Sequence, residues 1–177
     1  MDPSGKDFKS TLDLKLVLVA AVARSNVIGN KGRIPWSNIP DDMKRFKAMT
    51  MGCPVIMGKT TYLSIPDKFR PLEGRTNLVL SRDKNFNADG IVVCRSIGEA
   101  LEKAAEYNSL VNIIGGQSVY EQTINLADRL ELTEIDKDYQ GDAFFPHIDK
   151  NIWQEAKRVY SNFYSFVSYL RKNKFNY

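Results

Sequence analysis

The sequence predicts a single-domain α/β protein: a mixed, mostly parallel central sheet of about eight strands, flanking helices, and an antiparallel C-terminal hairpin. Three observations predict it. Short, nearly continuous apolar runs recur along the chain, the pattern of strands buried on both faces. Helix-forming segments lie between several of these runs. Two final strand-like segments are joined by a short turn region, which pairs them antiparallel.

The elements follow in order. Leu14 to Ala23 is the first apolar run, and Pro54 to Met57, Asn77 to Leu80, Ile91 to Cys94 and Leu110 to Ile114 repeat the theme. A helix is predicted from Pro40, a residue the first turn tolerates, with Ser37 or Asn38 as its cap. Ser96-Ile97-Gly98-Glu99 is a capping box ahead of a helix running to Tyr107. A further helix should follow Gly115-Gly116, through Val119, Tyr120 and Ile124. Leu130 to Ile135 is strand-like, and Glu155 to Tyr160 and Tyr164 to Leu170 form the hairpin around Ser161-Asn162. Residues 1–13 look like a flexible N-terminal extension, which leaves 14–177 as the domain.

The 177 residues, 43% apolar and 26% charged, suit one globular domain with one core. No apolar run is long enough to span a bilayer, and the polar start lacks a secretory core, so a cytoplasmic location is expected. Cys53 and Cys94 flank strand-like runs outside any metal-type cluster and read as buried, reduced thiols. The net charge of +4 admits nucleic-acid binding, but the basic residues are interspersed with acidic ones. A small anionic ligand suits such a charge equally well. His147 is the single histidine, so a histidine-based triad has no other candidate.

Asp42 is the sharpest chemical signal. On a helical wheel from Ile39, the apolar residues Ile39, Met43, Phe46 and Met49 share an arc. Asp41, Lys44, Arg45 and Lys47 fall largely outside it, whereas Asp42 falls within. A carboxylate there is partly desolvated, its pKa is raised, and it needs a partner. No basic residue shares the arc, so a ligand with paired N–H donors would satisfy it. A helix-start aspartate serving only the dipole describes Asp41 better.

Gly58-Lys59-Thr60-Thr61 follows a strand and opens a helix, which suits a phosphate contact. It is not a Walker loop, because Gly52 is one residue too far away. A turn that merely uses glycine is the competing reading. Gly115-Gly116 lets backbone approach a ligand closely, although the G-x-G-x-x-G fingerprint is absent. Arg82 and Arg95 each lie just past the carboxyl end of a predicted strand, the edge where open α/β sheets bind ligands. With Lys59 they could converge on one phosphate. The Asn30–Arg33 loop leading to Trp36 could close over a ligand; the alternative is a surface loop with Trp36 anchored in the core.

Together these features resemble the dihydrofolate reductase family over roughly Leu14 to Leu170. The ordered motifs are Val27-Ile28-Gly29, Pro35-Trp36, Asp42 in its helix, Val55 to Thr61, Arg70-Pro71-Leu72, Gly74-Arg75, Leu80-Ser81-Arg82, Ile114-Gly115-Gly116 and Leu132 to Ile135. The resemblance implies NADPH-dependent reduction of 7,8-dihydrofolate to tetrahydrofolate, with hydride added at C6 and a proton at N5. It implies Asp42 as the pterin-binding carboxylate, Thr133 as its hydroxyl neighbour, and Trp36 as the residue holding a bridging water. Tyr120, grouped with these catalytic positions, falls with Ile28 and Ala21 in the nicotinamide pocket. Val19, Ala20, Met43, Phe46, Ile65, Leu72 and Ile114 match the apolar walls around the substrate, and Arg75 matches the arginine that binds its glutamate carboxylate. Lys59, Arg82 and Arg95 match the 2′-phosphate cluster. Gly58, Thr60, Thr61, Ser81, Gly115, Gly116, Gln117, Ser118 and Val119 match the remaining cofactor positions. Antifolate inhibitors, a monomeric state and no nucleic-acid or membrane partner are further expectations. The chain departs from the short bacterial pattern by one extra residue between Trp36 and Pro40 and by a longer Ile65–Arg70 segment; Asp at position 42 is the bacterial choice. The nearest enzymatic rival is the riboflavin-pathway reductase type, against which Asp42 and Arg75 argue. A non-catalytic nucleotide-binding module would bind NADPH without turnover.

Overall fold

The computed structural model describes residues 12–172. Eight strands form one sheet: β1 (Lys15–Ala23), β3 (Pro54–Gly58), β4 (Thr76–Leu80), β5 (Ile91–Cys94), β6 (Leu110–Ile113), β7 (Arg129–Ile135), β9 (Trp153–Tyr160) and β10 (Tyr164–Arg171). Their spatial order is β5-β4-β3-β6-β1-β7-β10-β9. All pairings are parallel except those of β10, which runs antiparallel to β7 and β9. Each predicted strand is therefore present, and the C-terminal hairpin is antiparallel as expected. A separate two-stranded ribbon of β2 (Val27–Gly29) and β8 (Ala143–Phe144) was not predicted.

Helices α1 (Pro40–Thr50), α2 (Lys59–Ser64), α3 (Ile97–Ala105) and α4 (Gln117–Thr123) fill the connections. The expected cap of α1 is corrected: Ile39, not Ser37 or Asn38, is the N-cap, and no side chain caps there. Pro40 has no N–H to satisfy, and Ile39 gains more by entering an apolar cluster with Ala23, Val27, Ile135 and Tyr164. The box on α3 forms by halves. Ser96 Oγ accepts from the Glu99 N–H, but the Glu99 carboxylate accepts from the N–H of Arg95, one residue earlier than the standard return bond.

The core is the sheet interior. Leu16, Leu18, Ile56, Leu78, Ile113, Leu130 and Leu132 are fully buried in one cluster with the apolar face of α3. Each such side chain contributes roughly 1.5–3 kcal/mol. Val55, Met57 and Val79 form a second cluster on the other face of the same strands, because side chains alternate along a strand. Leu12 packs against the first cluster, so the packed chain starts before residue 14. Residues 1–11 of the expected extension lie outside the described residues. No helix among the described residues is long and apolar enough to cross a membrane.

Leu18 on β1 touches the core from the centre of the sheet. Leu18→Ala is expected to destabilise the protein by about 2–5 kcal/mol, read from urea unfolding. A loss of under about 0.5 kcal/mol, the range of ordinary surface changes, would contradict this placement.

Candidate active site

A cleft of ≈ 1500 Å³ runs along the carboxyl ends of β1, β3, β4 and β6, where parallel strands deliver loops and ligands bind. It gathers most of the residues singled out in the sequence. Its lining includes Val19, Ala20, Asp42, Met43, Phe46, Ile65, Leu72, Arg75 and Ile114, matched by resemblance to the substrate, and Ala21, Ile28, Gly58, Lys59, Thr60, Thr61, Ser81, Arg82, Gly115, Gly116, Gln117, Ser118, Val119 and Tyr120, matched to the cofactor. Thr133 lies behind the wall, in contact with Asp42. Trp36 and Arg95 are not among the lining residues.

Asp42 reaches the cleft from the first turn of α1. The helix carries an apolar arc as predicted, and the arc is divided: Met43, 52% exposed, and Phe46 line the cleft, whereas Ile39 at the helix start is buried in an apolar cluster; within α1 itself Thr50 is the only buried residue. Thr133 Oγ1 donates to Asp42 Oδ1 at 2.5 Å. Burial pushes the Asp42 pKa up, and the Thr133 hydrogen bond and the Arg45 charge partly oppose it. No basic residue was expected on the Asp42 arc; Arg45, placed outside that arc, is nonetheless near enough for its charge to act on Asp42. Arg45, one helical turn on, points toward the sheet and pairs with the buried Glu131 carboxylate. Glu131 also accepts from Ser168 Oγ at 2.7 Å and pairs with Arg129 Nε at 3.0 Å, while the Arg45 guanidinium lies 4.9 Å from the Phe166 ring centre.

Beyond Phe46 the cleft carries Arg75. Its only hydrogen-bond partner among the described residues is Thr50 Oγ1, at 3.4 Å, and its Nε is buried without a partner. Burial lowers its pKa somewhat, and the Glu73 charge opposes this. A buried guanidinium N–H with no acceptor is costly, so the site suits an incoming anion. Leu72 is held at the rim by Asn77, whose amide exchanges 2.9 Å bonds with both its N–H and C=O. Asn77 was missed in the sequence, although a polar residue within an apolar strand is the available signal.

The opposite end is bare backbone. Gly115 has φ +114, which disfavours any side chain, and an added Cβ there would meet Tyr120 at 3.2 Å; one on Gly116 would meet Thr61 Oγ1 at 3.2 Å. The Gly115–Gly116 peptide is cis. The Tyr120 hydroxyl donates to Val19 O at 2.7 Å, and burial pushes its pKa far upward. Its phenol, held by that hydrogen bond, forms part of the cleft wall. A dinucleotide fits this floor: glycine backbone admits close approach, Thr60 and Thr61 border it, and cations stand at its outer edge.

Those cations are not equivalent. Arg82 lines the cleft and makes no ion pair or side-chain hydrogen bond among the described residues. Lys59 Nζ is engaged by Asp83 Oδ2 at 2.8 Å and lies 4.7 Å from the Phe86 ring centre. Arg95 instead donates to the backbone oxygens of Ser81 (2.9 Å) and Asp83 (2.7 Å), bracing their loop. Gln117 lines the cleft but spends its amide on Phe144 N–H and Glu121.

The Asn30–Arg33 segment is a tight turn. Asn30 and Arg33 exchange backbone hydrogen bonds, Lys31 and Gly32 have positive φ, and the Lys31 N–H donates to both Asp142 carboxylate oxygens. Gly32, Arg33 and Ile34 border the cleft, while Trp36 stacks edge-on against Tyr139 at 5.5 Å. Trp36 thus anchors the chain between this turn and α1.

A family model described as "Dihydrofolate reductase" matches residues 15–170. Dihydrofolate reductase of Neisseria meningitidis serogroup A is 43% identical over 164 residues, spanning 89% of this chain and 99% of the relative. Dihydrofolate reductase HdrB of Haloferax volcanii is 39% identical over 175 residues, spanning 96% and 90%. Among solved structures, dihydrofolate reductase from Enterococcus faecalis complexed with NADP(H) and RAB-propyl superposes with a TM-score of 0.81 at 31% identity, covering 90% of this chain and 97% of that one.

The raised Asp42 pKa has a measurable consequence. Its carboxylate form is disfavoured in the folded chain, so its stabilising contribution is complete below the ordinary aspartate pKa and is lost as pH rises through the raised value. Asp42→Asn is neutral at every pH. It is expected to melt above the parent at neutral pH, with the gap closing in acid. A pH-independent gap in thermal melts would refute this.

Proposed function

The chain belongs to the dihydrofolate reductase family, and from that membership we propose that it reduces 7,8-dihydrofolate to 5,6,7,8-tetrahydrofolate in this cleft with NADPH. The observation that carries the assignment to the site is the Asp42–Thr133 pair at an apolar section of the cleft, next to the bare glycine floor. NADPH, when bound, supplies the hydride that adds to C6 of the pterin, while N5 gains a proton.

The chain's own groups do the rest. Thr133 occupies one lone pair of Asp42 Oδ1 and fixes the carboxylate, leaving its other lone pairs for the paired N–H donors of the pterin edge. Partial burial strengthens that contact and raises the proton affinity of the bound ring at N5, with water as the immediate donor. Val19, Ala20, Met43, Phe46, Ile65, Leu72 and Ile114 exclude water from the ring system. Arg75 holds the glutamate α-carboxylate in a bidentate pair that also satisfies its orphaned Nε. Gly58, Thr60, Thr61, Gly115 and Gly116, with Gln117, Ser118 and Val119, border the pyrophosphate path, and Ala21, Ile28 and Tyr120 wall the nicotinamide. Arg82, with Lys59 and Ser81, receives the adenosine end. A monomeric enzyme in the cytoplasm belongs to the same proposal; the two free, buried cysteines support a reducing compartment.

Dihydrofolate-dependent loss of NADPH absorbance tests the reading directly. Asp42→Asn should cut the rate by on the order of 10²–10⁴; near-parental turnover at neutral pH would sink the role of Asp42. Arg75→Leu should raise the KM for dihydrofolate by roughly 10- to 100-fold, with a smaller effect on kcat. Arg82→Ala should weaken NADPH more than Arg95→Ala does, because Arg95 is spent on backbone oxygens. The reverse order in binding titrations would place the 2′-phosphate elsewhere.

A further inference from the structure

We propose that Asp83 sets the cofactor preference of this cleft, holding down discrimination for NADPH over NADH by engaging Lys59 and by placing a carboxylate where the 2′-phosphate enters. The inference rests on the reading of the adenosine end given above. Three cations were expected there, and among the described residues one of them is left without an ion pair. Arg95 is turned onto the Ser81 and Asp83 carbonyls. The Lys59 ammonium meets Asp83 Oδ2 at 2.8 Å, so the two charges cancel locally. Among the described residues Arg82 remains as the single one of the three with neither an ion pair nor a side-chain hydrogen bond.

Asp83 is not a loose surface group. Its second oxygen accepts from the Asn85 N–H at 3.0 Å, its own N–H donates to Ser81 Oγ at 3.2 Å, and its carbonyl accepts from Arg95 at 2.7 Å. The side chain is half exposed, yet the residue lines the cleft beside Arg82. Its hydrogen bond from Lys59 keeps the carboxyl ionised to lower pH than usual. A fixed carboxylate at an adenosine pocket has opposite effects on the two cofactors. It repels a 2′-phosphate carrying nearly two negative charges, and it accepts a hydrogen bond from a free 2′-hydroxyl. For the phosphate to use Lys59, the Lys59–Asp83 pair must first separate, which costs NADPH affinity that NADH does not lose.

Asp83→Asn removes the charge and keeps an acceptor for the Asn85 N–H. The full chain is titrated with 2′,5′-ADP and with 5′-AMP, two redox-inactive probes that differ in the 2′-phosphate, and with NADPH and NADH. The Asn variant should bind 2′,5′-ADP roughly three- to tenfold more tightly, an effect that shrinks as salt rises, with 5′-AMP unchanged or weaker. The same shift should carry to the NADPH/NADH ratio. Arg82→Ala run beside it tests the site itself. If Arg82→Ala weakens 2′,5′-ADP while Asp83→Asn leaves the 2′,5′-ADP/5′-AMP ratio unchanged or lowers it, Asp83 has no such role and the site reading stands. If Arg82→Ala leaves 2′,5′-ADP unaffected, the adenosine end lies elsewhere and the inference falls with that reading.

Discussion

The hydrogen bond from Thr133 to Asp42 is the contact on which the arrangement of the cleft depends. It belongs to a set of three polar straps between α1 and the sheet. Asp42 takes Thr133 on β7, Arg45 takes Glu131 two residues earlier on the same strand face, and Asp41 accepts from Tyr164 on β10. These straps supplement a thin apolar seam between helix and sheet, since Met43 and Phe46 of α1 are turned to the cleft. Ile39 gives the helix one apolar anchor at its start, and the polar contacts set its rotation. A helix placed this way presents Met43 and Phe46 to a ligand without spending them on the core. The cost is a partly desolvated carboxylate and a buried ion pair. A buried pair contributes little net stability, but removing one partner leaves an uncompensated charge. The Arg45–Glu131 pair therefore acts chiefly to fix geometry.

Much of this was legible in the sequence, for identifiable physical reasons. The parallel strands announce themselves because both faces are buried, and Ile91–Cys94 matches to the residue. The β2–β8 ribbon escaped because three residues facing two cannot produce a period. For α1 the periodicity was legible, but which of its apolar residues border a cavity was not, because an apolar arc facing a ligand cavity has the same spacing as one facing a core. The informative sign was on the partner strand: Glu131 and Thr133 alternate as polar residues inside Leu130–Ile135, and two polar residues on one face of a buried strand need partners.

The residues that the resemblance singles out differ in what surrounds them, and the split follows the kind of contact. Those whose role needs position alone, such as the apolar wall and the glycine floor, line the cleft together. Those whose role needs a free polar group depend on what else is near. Arg95 is consumed by two carbonyls, Lys59 by a carboxylate, and the Tyr120 hydroxyl by Val19. Sequence position says that a charge is present at a site; neighbours decide whether it is available.

The two ends of the cleft consequently use different materials. At the glycine floor, recognition is by backbone, and a methyl group on Gly115 or Gly116 would fill the space a ligand needs before any charge is considered. At Asp42 and Arg75, recognition is by side chains held short of satisfaction: a carboxylate with one hydroxyl partner, and a guanidinium with an orphaned N–H. Unsatisfied buried polar groups are costly in the free protein, and that cost is relieved when a ligand with matching donors and acceptors arrives. The same groups penalise a ligand that lacks them, because they would stay buried and unpaired. Where this chain leaves its polar groups incomplete therefore sets which donors and acceptors a ligand of the cleft has to bring.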